Sequence, residues 1–228
     1  MKKRIVVLSG AGISADSGLR TFRDADGLWE GYDVSGVATP EAFERDPELV
    51  IRFYNERRAQ AREAEPNEGH RSLVKLESKY DVQIITQNID DLHERAGSTH
   101  VLHLHGEILK GCSVKNTHLT VDLKEDIKLG DLAPDGHQLR PFVVWFGEPV
   151  PMIEQAARIC LKSDILIIVG TSLVVYPAAS LIDFVPVHAP IYVVDPQTPH
   201  IYASHQIEYI TERGSVGLPI LVEKLLNT

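Results

Sequence analysis

Several short stretches of this chain carry residue types that can bind phosphates and ribose hydroxyls or move protons. Leu8-Ser9-Gly10-Ala11-Gly12-Ile13-Ser14-Ala15 follows the apolar run Arg4-Ile5-Val6-Val7-Leu8. A Gly-x-Gly-x-x-Ala turn between a buried strand and a helix, here Gly10, Gly12 and Ala15, suits a pyrophosphate. The glycines let the backbone turn tightly and come close, and free helix N–H groups meet the charge. A tight turn with no ligand uses the same residues, so this match alone decides little. Thr86-Gln87-Asn88-Ile89-Asp90-Asp91-Leu92-His93 follows a second apolar run, 81–86. Polar side chains at the carboxyl end of a parallel strand stand where α/β folds bind ligands. Helix capping is their other use; it is assigned here to Asp91, with Asn88 and Asp90 read as ligand-facing. His103 and His105 share one strand face, so periodicity singles out neither, and a histidine at a strand end is as readily structural. Gly170-Thr171-Ser172 closes the most apolar run, 164–169. Its small hydroxyls suit ribose or phosphate, and they equally suit a turn into a Pro-initiated helix. Tyr54 and Arg57 lie three apart on an expected helix and so share a face. A phenol beside a guanidinium suits a carboxylate, although Arg52, Glu56 and Arg58 make an exposed charged face an equally compatible reading.

These residues must be positioned by the elements around them. Strands are expected at 4–8, 81–86, 101–105, 141–146, 164–169, 191–194 and 207–210, from short apolar, β-branched runs bounded by polar residues. Helices are expected from Ser14 to Leu19, from Pro47 to about Glu63 with Asp46 as N-cap, and at 68–80 behind Asn67. Further helices are expected at 152–161, 176–184 and 217–226. Residues 32–40 read as loop and 109–140 as a small β-rich excursion. Apolar strands alternating with helices imply a parallel sheet covered on both faces. After the Gly-rich turn comes a polar loop from Arg20 to Trp29, with no second apolar strand within reach, where a hydride-transfer unit would run its helix straight into a strand ending in an acid about 20 residues on.

Composition narrows the function classes. The chain has 228 residues, 43% hydrophobic and 24% charged, and a chain of that size buries roughly 70% of its unfolded surface. A net charge of −9 argues against nucleic acid as the main partner. Two cysteines, Cys112 and Cys160, leave no disulfide framework and suit a reducing compartment. With no run long and apolar enough for a membrane span and no cleavable apolar leader after Met1-Lys2-Lys3, a cytoplasmic, membrane-free protein is expected.

The stretch from Gly10 to Trp29, Gly-Ala-Gly-Ile-Ser-Ala-Asp-Ser-Gly-Leu-Arg-Thr-Phe-Arg-Asp-Ala-Asp-Gly-Leu-Trp, resembles the signature of the sirtuins, NAD-dependent protein lysine deacylases. Gln87-Asn88-Ile89-Asp90, His105-Gly106-Glu107, Gly170-Thr171-Ser172 and the stretch from Arg140 to Glu148 extend the similarity over nearly the whole chain. The resemblance implies a Rossmann-like parallel sheet with helices on both faces plus a small inserted lobe. The core would be about 1–27, 71–108 and 141–228, and the lobe about 28–70 and 109–140. It implies NAD bound by Gly10, Ala11, Gly12, Ile13, Ala15, Thr21, Phe22, Arg23, Trp29, Gln87, Asn88, Ile89, Asp90, His105, Gly170, Thr171 and Ser172. Asp90 would hold the nicotinamide carboxamide, and Asn88 would orient the ribose and a water. Asp195 stands where sirtuins usually carry an Asn for the adenine-side ribose; it and Gln197 would lie there, with Gly214 of Arg213-Gly214-Ser215 near the adenine. His105 would be the general base that takes a proton from the ribose hydroxyls after the acyl oxygen has displaced nicotinamide, leaving His103 structural.

The stretch 140–148, with Val144, Phe146, Gly147 and Glu148, would pair with an extended acyl-lysine peptide. Ala38 together with Tyr54 and Arg57 resembles the branch that removes succinyl and related acidic groups. The implied activity is deacetylation with desuccinylation or demalonylation of protein lysines. An NAD or ADP-ribose sensor and a protein ADP-ribosyltransferase are the alternatives. One departure is that the two Cys-x-x-Cys pairs of the sirtuin zinc site are missing: Cys112 stands alone, with Lys115, Leu132 and Asp135 at the other positions. His118, His137 and nearby Asp residues lack ligand spacing, so a zinc-independent protein is expected.

Overall fold

The computed structural model describes residues 2–19, 28, 29, 32–199, 201 and 204–228, with the backbone alone at 28 and 29. The first half of the chain forms β1 (Arg4–Ser9), β2 (Leu28–Trp29), β3 (Tyr32–Asp33), α1 (Val34–Val37), α2 (Pro40–Arg45), α3 (Pro47–Glu63), α4 (Glu68–Leu76), β4 (Asp81–Thr86), α5 (Leu92–Ala96) and β5 (Val101–His103). The second half forms β6 (Gly106–Ser113), β7 (Thr120–Asp122), β8 (Leu139–Val143), α6 (Ile153–Cys160), β9 (Ile165–Val169), β10 (Ile191–Val194), β11 (Ile207–Ile210) and α7 (Gly214–Leu226). Six strands join in the order β11-β10-β9-β1-β4-β5, every pair parallel.

Strand alternation explains why both sheet faces need cover. Ile5 and Val7 point to the side occupied by Leu73 and Leu76 of α4 and by Leu218, Leu221 and Leu225 of α7. Val6 and Leu8 point to the other side, against Ala156 and Cys160 of α6 and Leu181. Each such side chain, fully withdrawn from water, contributes about 1.5–3 kcal/mol, which is why these strands read as unbroken apolar runs. A third core joins Val37, Val50, Phe53 and Tyr54 to Ile108, Val143 and Trp145, tying α1 and α3 to the small antiparallel sheet β7-β6-β8. Among the described residues no helix is long and apolar enough to cross a membrane.

The helix starts follow their capping residues. Asp46 accepts from the Leu49 N–H at 2.9 Å, and Pro47 occupies the first turn. Asn67 caps α4 through Gly69 at 2.9 Å, and its amide also donates to Ile13 O at 2.8 Å and Ser17 Oγ at 2.9 Å. α4 therefore grips the segment that follows β1.

Several expected elements differ. Residues 32–40 are not loop: Thr39 Oγ1 caps α2 by accepting from Ala42 at 3.1 Å, with Pro40 behind it. In place of a helix from Ser14 to Leu19 there are two 3-10 turns, Ala11–Ile13 and Ala15–Ser17, stopped at Gly18 with φ +87°. The 178–184 segment is also 3-10, with Ser180 Oγ bonded back to Pro177 O at 2.8 Å, a local bond that competes with α-helix. α4 ends at Leu76, and β8 runs 139–143 rather than 141–146. α7 begins at Gly214, not at residue 217; Gly214 and Gly217 weaken the helical signal but let the helix lie against Ile13, Val169 and Val194.

Behind the first turn, His70 and His93 are buried with ring centroids 5.0 Å apart. His93 Nε2 lies 2.9 Å from Ser9 Oγ, and His70 Nδ1 accepts from Asn67 N at 3.3 Å. Burial lowers the His70 pKa to about 4, with Arg71 adding and Glu94 opposing; burial also drives His93 well below its ordinary value. The unfolded chain therefore takes up protons first as pH falls from 6.5. Stability present above that pH is lost on acidification, by about 3 kcal/mol from His70 alone near pH 4. Denaturant midpoints between pH 7 and 5 should fall less steeply for His70→Asn than for the unaltered protein; equal slopes would place the acid sensitivity elsewhere.

Candidate active site

β1 lies between β4 and β9, where the chain crosses from one half of the parallel sheet to the other. At such a switch point the loops leaving the strand ends diverge and open a crevice. The turn after β1 supplies Ser14, whose hydroxyl donates to Asp90 Oδ2 at 3.1 Å and accepts from Asn88 Nδ2 at 3.0 Å. Asn88 and Asp90 come from the loop after β4, and each is 7% exposed. Asp90 also accepts from Leu92 N at 3.2 Å; burial outweighs these bonds and raises its pKa to about 6. Thus Asp90 caps α5, and Asp91, expected to do so, makes no capping bond. From β9, Thr171 Oγ1 accepts from Gln87 Nε2 at 3.0 Å, so turns from all three central strands are joined through side chains.

His105 sits at the corner between the two sheets. β5 ends at His103, and Gly106 turns the chain into β6 with φ +83°. A Cβ at Gly106 would collide with the Phe142 carbonyl. His105 Nδ1 lies 2.9 Å from Gln87 O. A carbonyl only accepts, so Nδ1 carries the proton and Nε2 keeps the lone pair. Burial lowers the pKa against the opposing Gln87 bond, which keeps the ring neutral at pH 7. His103 differs: its ring nitrogens face Asn88 O at 2.9 Å and Glu94 Oε1 at 2.8 Å. Burial opposes its charge, but those two partners raise its pKa. The two histidines are thus separated into a neutral one and a paired one.

The glycines let two turns meet closely. Gly10 N and Gly12 N donate to Val169 O at 3.0 Å and Gly170 O at 2.9 Å, while the Ile13 and Ser14 N–H groups close the 3-10 turn. A Cβ at Gly12 would stand 2.7 Å from Gly170 Cα. These residues pack two turns backbone to backbone, and four of the N–H groups anticipated for a phosphate are spent internally. Ala11 and Ile13 form the first of these turns and Ala15 opens the second; Ile89 O accepts from Ile108 at 2.8 Å. Ser172 lies beside the Thr171 bond and is half-buried. Asp195, buried, accepts from Gln197 N at 2.9 Å. Gly214 packs on Ile13 and Val169; its neighbours Arg213 and Ser215 both bind Asp16. Thr21, Phe22, Arg23 and the Trp29 side chain lie outside the described residues.

A second group surrounds α3. Tyr54 is fully buried and accepts from Trp145 Nε1 at 3.1 Å; burial raises its pKa. Arg57 is 10% exposed, stacks over Phe53 at 4.7 Å and donates to Gln60 at 3.1 Å. Its Nη1 is buried without a hydrogen-bond partner among the described residues. Ala38 is 3% exposed and its carbonyl accepts from Phe146 N at 3.0 Å, while Val144 N donates to His105 O at 2.9 Å. Gly147 turns the loop with φ +91°. Glu148, expected to face a peptide, has both oxygens occupied: Arg140 donates to them at 2.6 and 2.9 Å, and Trp145 N at 2.8 Å.

The residues that sequence reasoning missed are Ser14, Trp145 and Arg140. Ser14 stood in the quoted turn as a small hydroxyl with no role. Trp145 and Arg140 stood in the quoted 140–148 stretch with no role of their own.

Where the zinc positions of the resembled family would fall, the donors do not fit. Cys112 is buried, with Sγ 3.8 Å from Pro141 O, and burial raises its pKa to about 11. Asp135 accepts from Ser113 at 2.6 Å, and Leu132 bridges Gln138. For a dinucleotide the donor set does fit: hydroxyls, amides, a carboxylate and a neutral imidazole stand together at the carboxyl ends of the strands.

A doubly covered parallel sheet with this polar cluster at its switch point defines a Rossmann-like α/β protein. The Sir2 family model matches residues 10–177. The chain is 52% identical over 230 residues to the NAD-dependent protein deacylase of Bacteroides thetaiotaomicron, covering 98% of each. It is 50% identical over 225 residues to that of Helicobacter pylori, covering 99% of this chain and 98% of the relative. Its structure resembles that of a Sir2 homolog–NAD complex, with TM-score 0.86 and 36% identity over 99% of this chain and 90% of that one. The chain belongs to the Sir2 family.

Proposed function

We propose that the protein is an NAD-dependent protein lysine deacylase that favours acidic acyl groups. The observation that carries the first part is the Ser14 hydroxyl held between Asn88 and Asp90, in a crevice completed by a histidine whose Nε2 is the basic nitrogen. The names of the Bacteroides and Helicobacter relatives support the same activity. NAD, when bound, supplies the ADP-ribose that receives the acyl group, with nicotinamide released. In this reading Asp90 accepts from the carboxamide, Asn88 orients the ribose, and Gln87, Thr171 and the turns at Gly10–Ala15 and Gly170–Ser172 line the remainder. His105 Nε2 takes a proton from a ribose hydroxyl, a task suited to a ring that is neutral at pH 7. Residues 140–148 receive an extended acyl-lysine peptide, with Glu148 holding that loop rather than touching it. Residues 28–70 and 109–140 form the small lobe, a division supported by the bonds of Asn55 with the Ile127 backbone and of Arg62 with Leu123 O. Two free, buried cysteines support a reducing, cytoplasmic setting.

The acidic preference is supported by the buried, unpartnered Nη1 of Arg57. A buried guanidinium nitrogen left unpaired is costly, and a succinyl or malonyl carboxylate would pair it.

Incubation with NAD and a labelled acyl-lysine peptide tests the activity. Free lysine peptide with released nicotinamide is expected; absence of turnover would indicate a sensor, and label on protein an ADP-ribosyltransferase. With a single cysteine at the four ligand positions, elemental analysis should find no stoichiometric zinc, and strong chelation should leave the fold intact. One zinc per chain, lost together with folding, would overturn this.

A further inference from the structure

On the basis of the acidic-acyl preference proposed above, we infer that Trp145 is a positioning residue that sets Tyr54 as a hydrogen-bond donor to the acyl carboxylate. The indole Nε1–H can only donate, so in the 3.1 Å contact the Tyr54 oxygen is the acceptor. The phenol's own hydrogen must then point to a different acceptor. A tyrosine with its lone pair uncommitted could offer that lone pair to a ligand, which repels a carboxylate; Trp145 removes the choice. Donation into the phenol oxygen also polarises its O–H, strengthening the bond that it gives.

Trp145 is itself held from behind. The Arg140 guanidinium lies 3.6 Å from the indole centroid, close enough for a strong cation–π contact. Glu148 fixes Arg140 through both oxygens and accepts from the Trp145 backbone N–H. Glu148, Arg140, Trp145 and Tyr54 thus form a continuous relay of contacts, three of them 5% exposed or less and Glu148 21%. On the other side Phe53 holds the Arg57 guanidinium at 4.7 Å, so each member of the Tyr54–Arg57 pair has its own aromatic support.

Trp145→Phe keeps an aromatic ring and deletes the N–H. The Tyr54 bond is made equally in the ground and transition states, so its weakening should appear in KM. KM for a succinyl-lysine peptide should rise about 3- to 10-fold more than KM for the matched acetyl-lysine peptide. In a Tyr54→Phe background, Trp145→Phe should add nothing, because no oxygen is left to receive the N–H. Equal losses on both peptides, or an added loss in that background, would make Trp145 a packing residue only. Arg57→Met separates this inference from its foundation. If Arg57→Met leaves the succinyl-to-acetyl ratio unchanged, the acidic-acyl reading falls. If it collapses the ratio while Trp145→Phe leaves the succinyl KM alone, only the Trp145 role falls. Should Trp145→Phe not fold, the unaltered protein decides: the Trp145 indole N–H resonance should shift on adding succinyl-lysine peptide and stay in place with acetyl-lysine peptide. No shift with either would overturn the inference.

Discussion

His105→Ala is expected to lower deacylation by about 10²- to 10⁴-fold while NAD binding changes little. Gln87 O lies at Nδ1, which fixes the tautomer and leaves Nε2 as the nitrogen able to take a proton. Burial holds the pKa below the ordinary 6.5, so the base is already neutral at pH 7, and the rate should fall only as pH drops into the acid range. Alanine removes the base but none of the Ser14–Asn88–Asp90 contacts that support the cofactor reading. Single-turnover deacylation and NAD titration by calorimetry separate the two effects. A variant that kept a tenth of the rate would exclude His105 as the essential base, and a parallel collapse of NAD affinity would make it a binding residue instead.

The parallel sheet was legible because a strand covered on both faces must be apolar at every position, as at Ile165–Val169. Helix α3 was legible from Asp46 and Pro47, and the identical signal at Thr39 and Pro40 was missed because the helix behind it spans only Pro40–Arg45. Asn88, Asp90 and His105 could be picked out because strand ends are where a parallel sheet exposes polar groups. What local pattern does not encode is contact between distant turns. Gly10 and Gly12 pack against Gly170, a pairing of loops about 160 residues apart that no local periodicity records. The Glu148 carboxylate looked available because its partner, Arg140, lies on the preceding strand across a bend at Gly147. The capping of α5 fell to Asp90 instead of Asp91 for a similar reason: Ser14, from another strand's loop, helps to orient Asp90 toward Leu92 N.

Arg57→Met should cost desuccinylation about 30- to 1000-fold in kcat/KM, or about 2–4 kcal/mol, the usual penalty for a buried charge deprived of its partner. The guanidinium is only 10% exposed. Gln60 takes Nε at 3.1 Å and Glu56 takes Nη2 at 3.4 Å, while Nη1 is left inside without a partner among the described residues. Arg57 sits on the same helical face as Tyr54, and Ala38, buried in the same core as Tyr54, keeps the side-chain volume small. A succinyl carboxylate entering such a pocket must shed its water, a cost met only by a charge-assisted hydrogen bond already in place. An acetyl group brings no such charge and gains little from Arg57. Methionine retains the length and apolar stem of arginine, so the aliphatic packing over Phe53 survives while the charge is lost. Deacetylation by Arg57→Met should therefore change far less than desuccinylation, and kcat/KM measured on matched succinyl- and acetyl-lysine peptides gives the ratio directly. Comparable losses on both would show that Arg57 serves the fold through Phe53, Glu56 and Gln60 alone, and the acidic-acyl assignment would then fall.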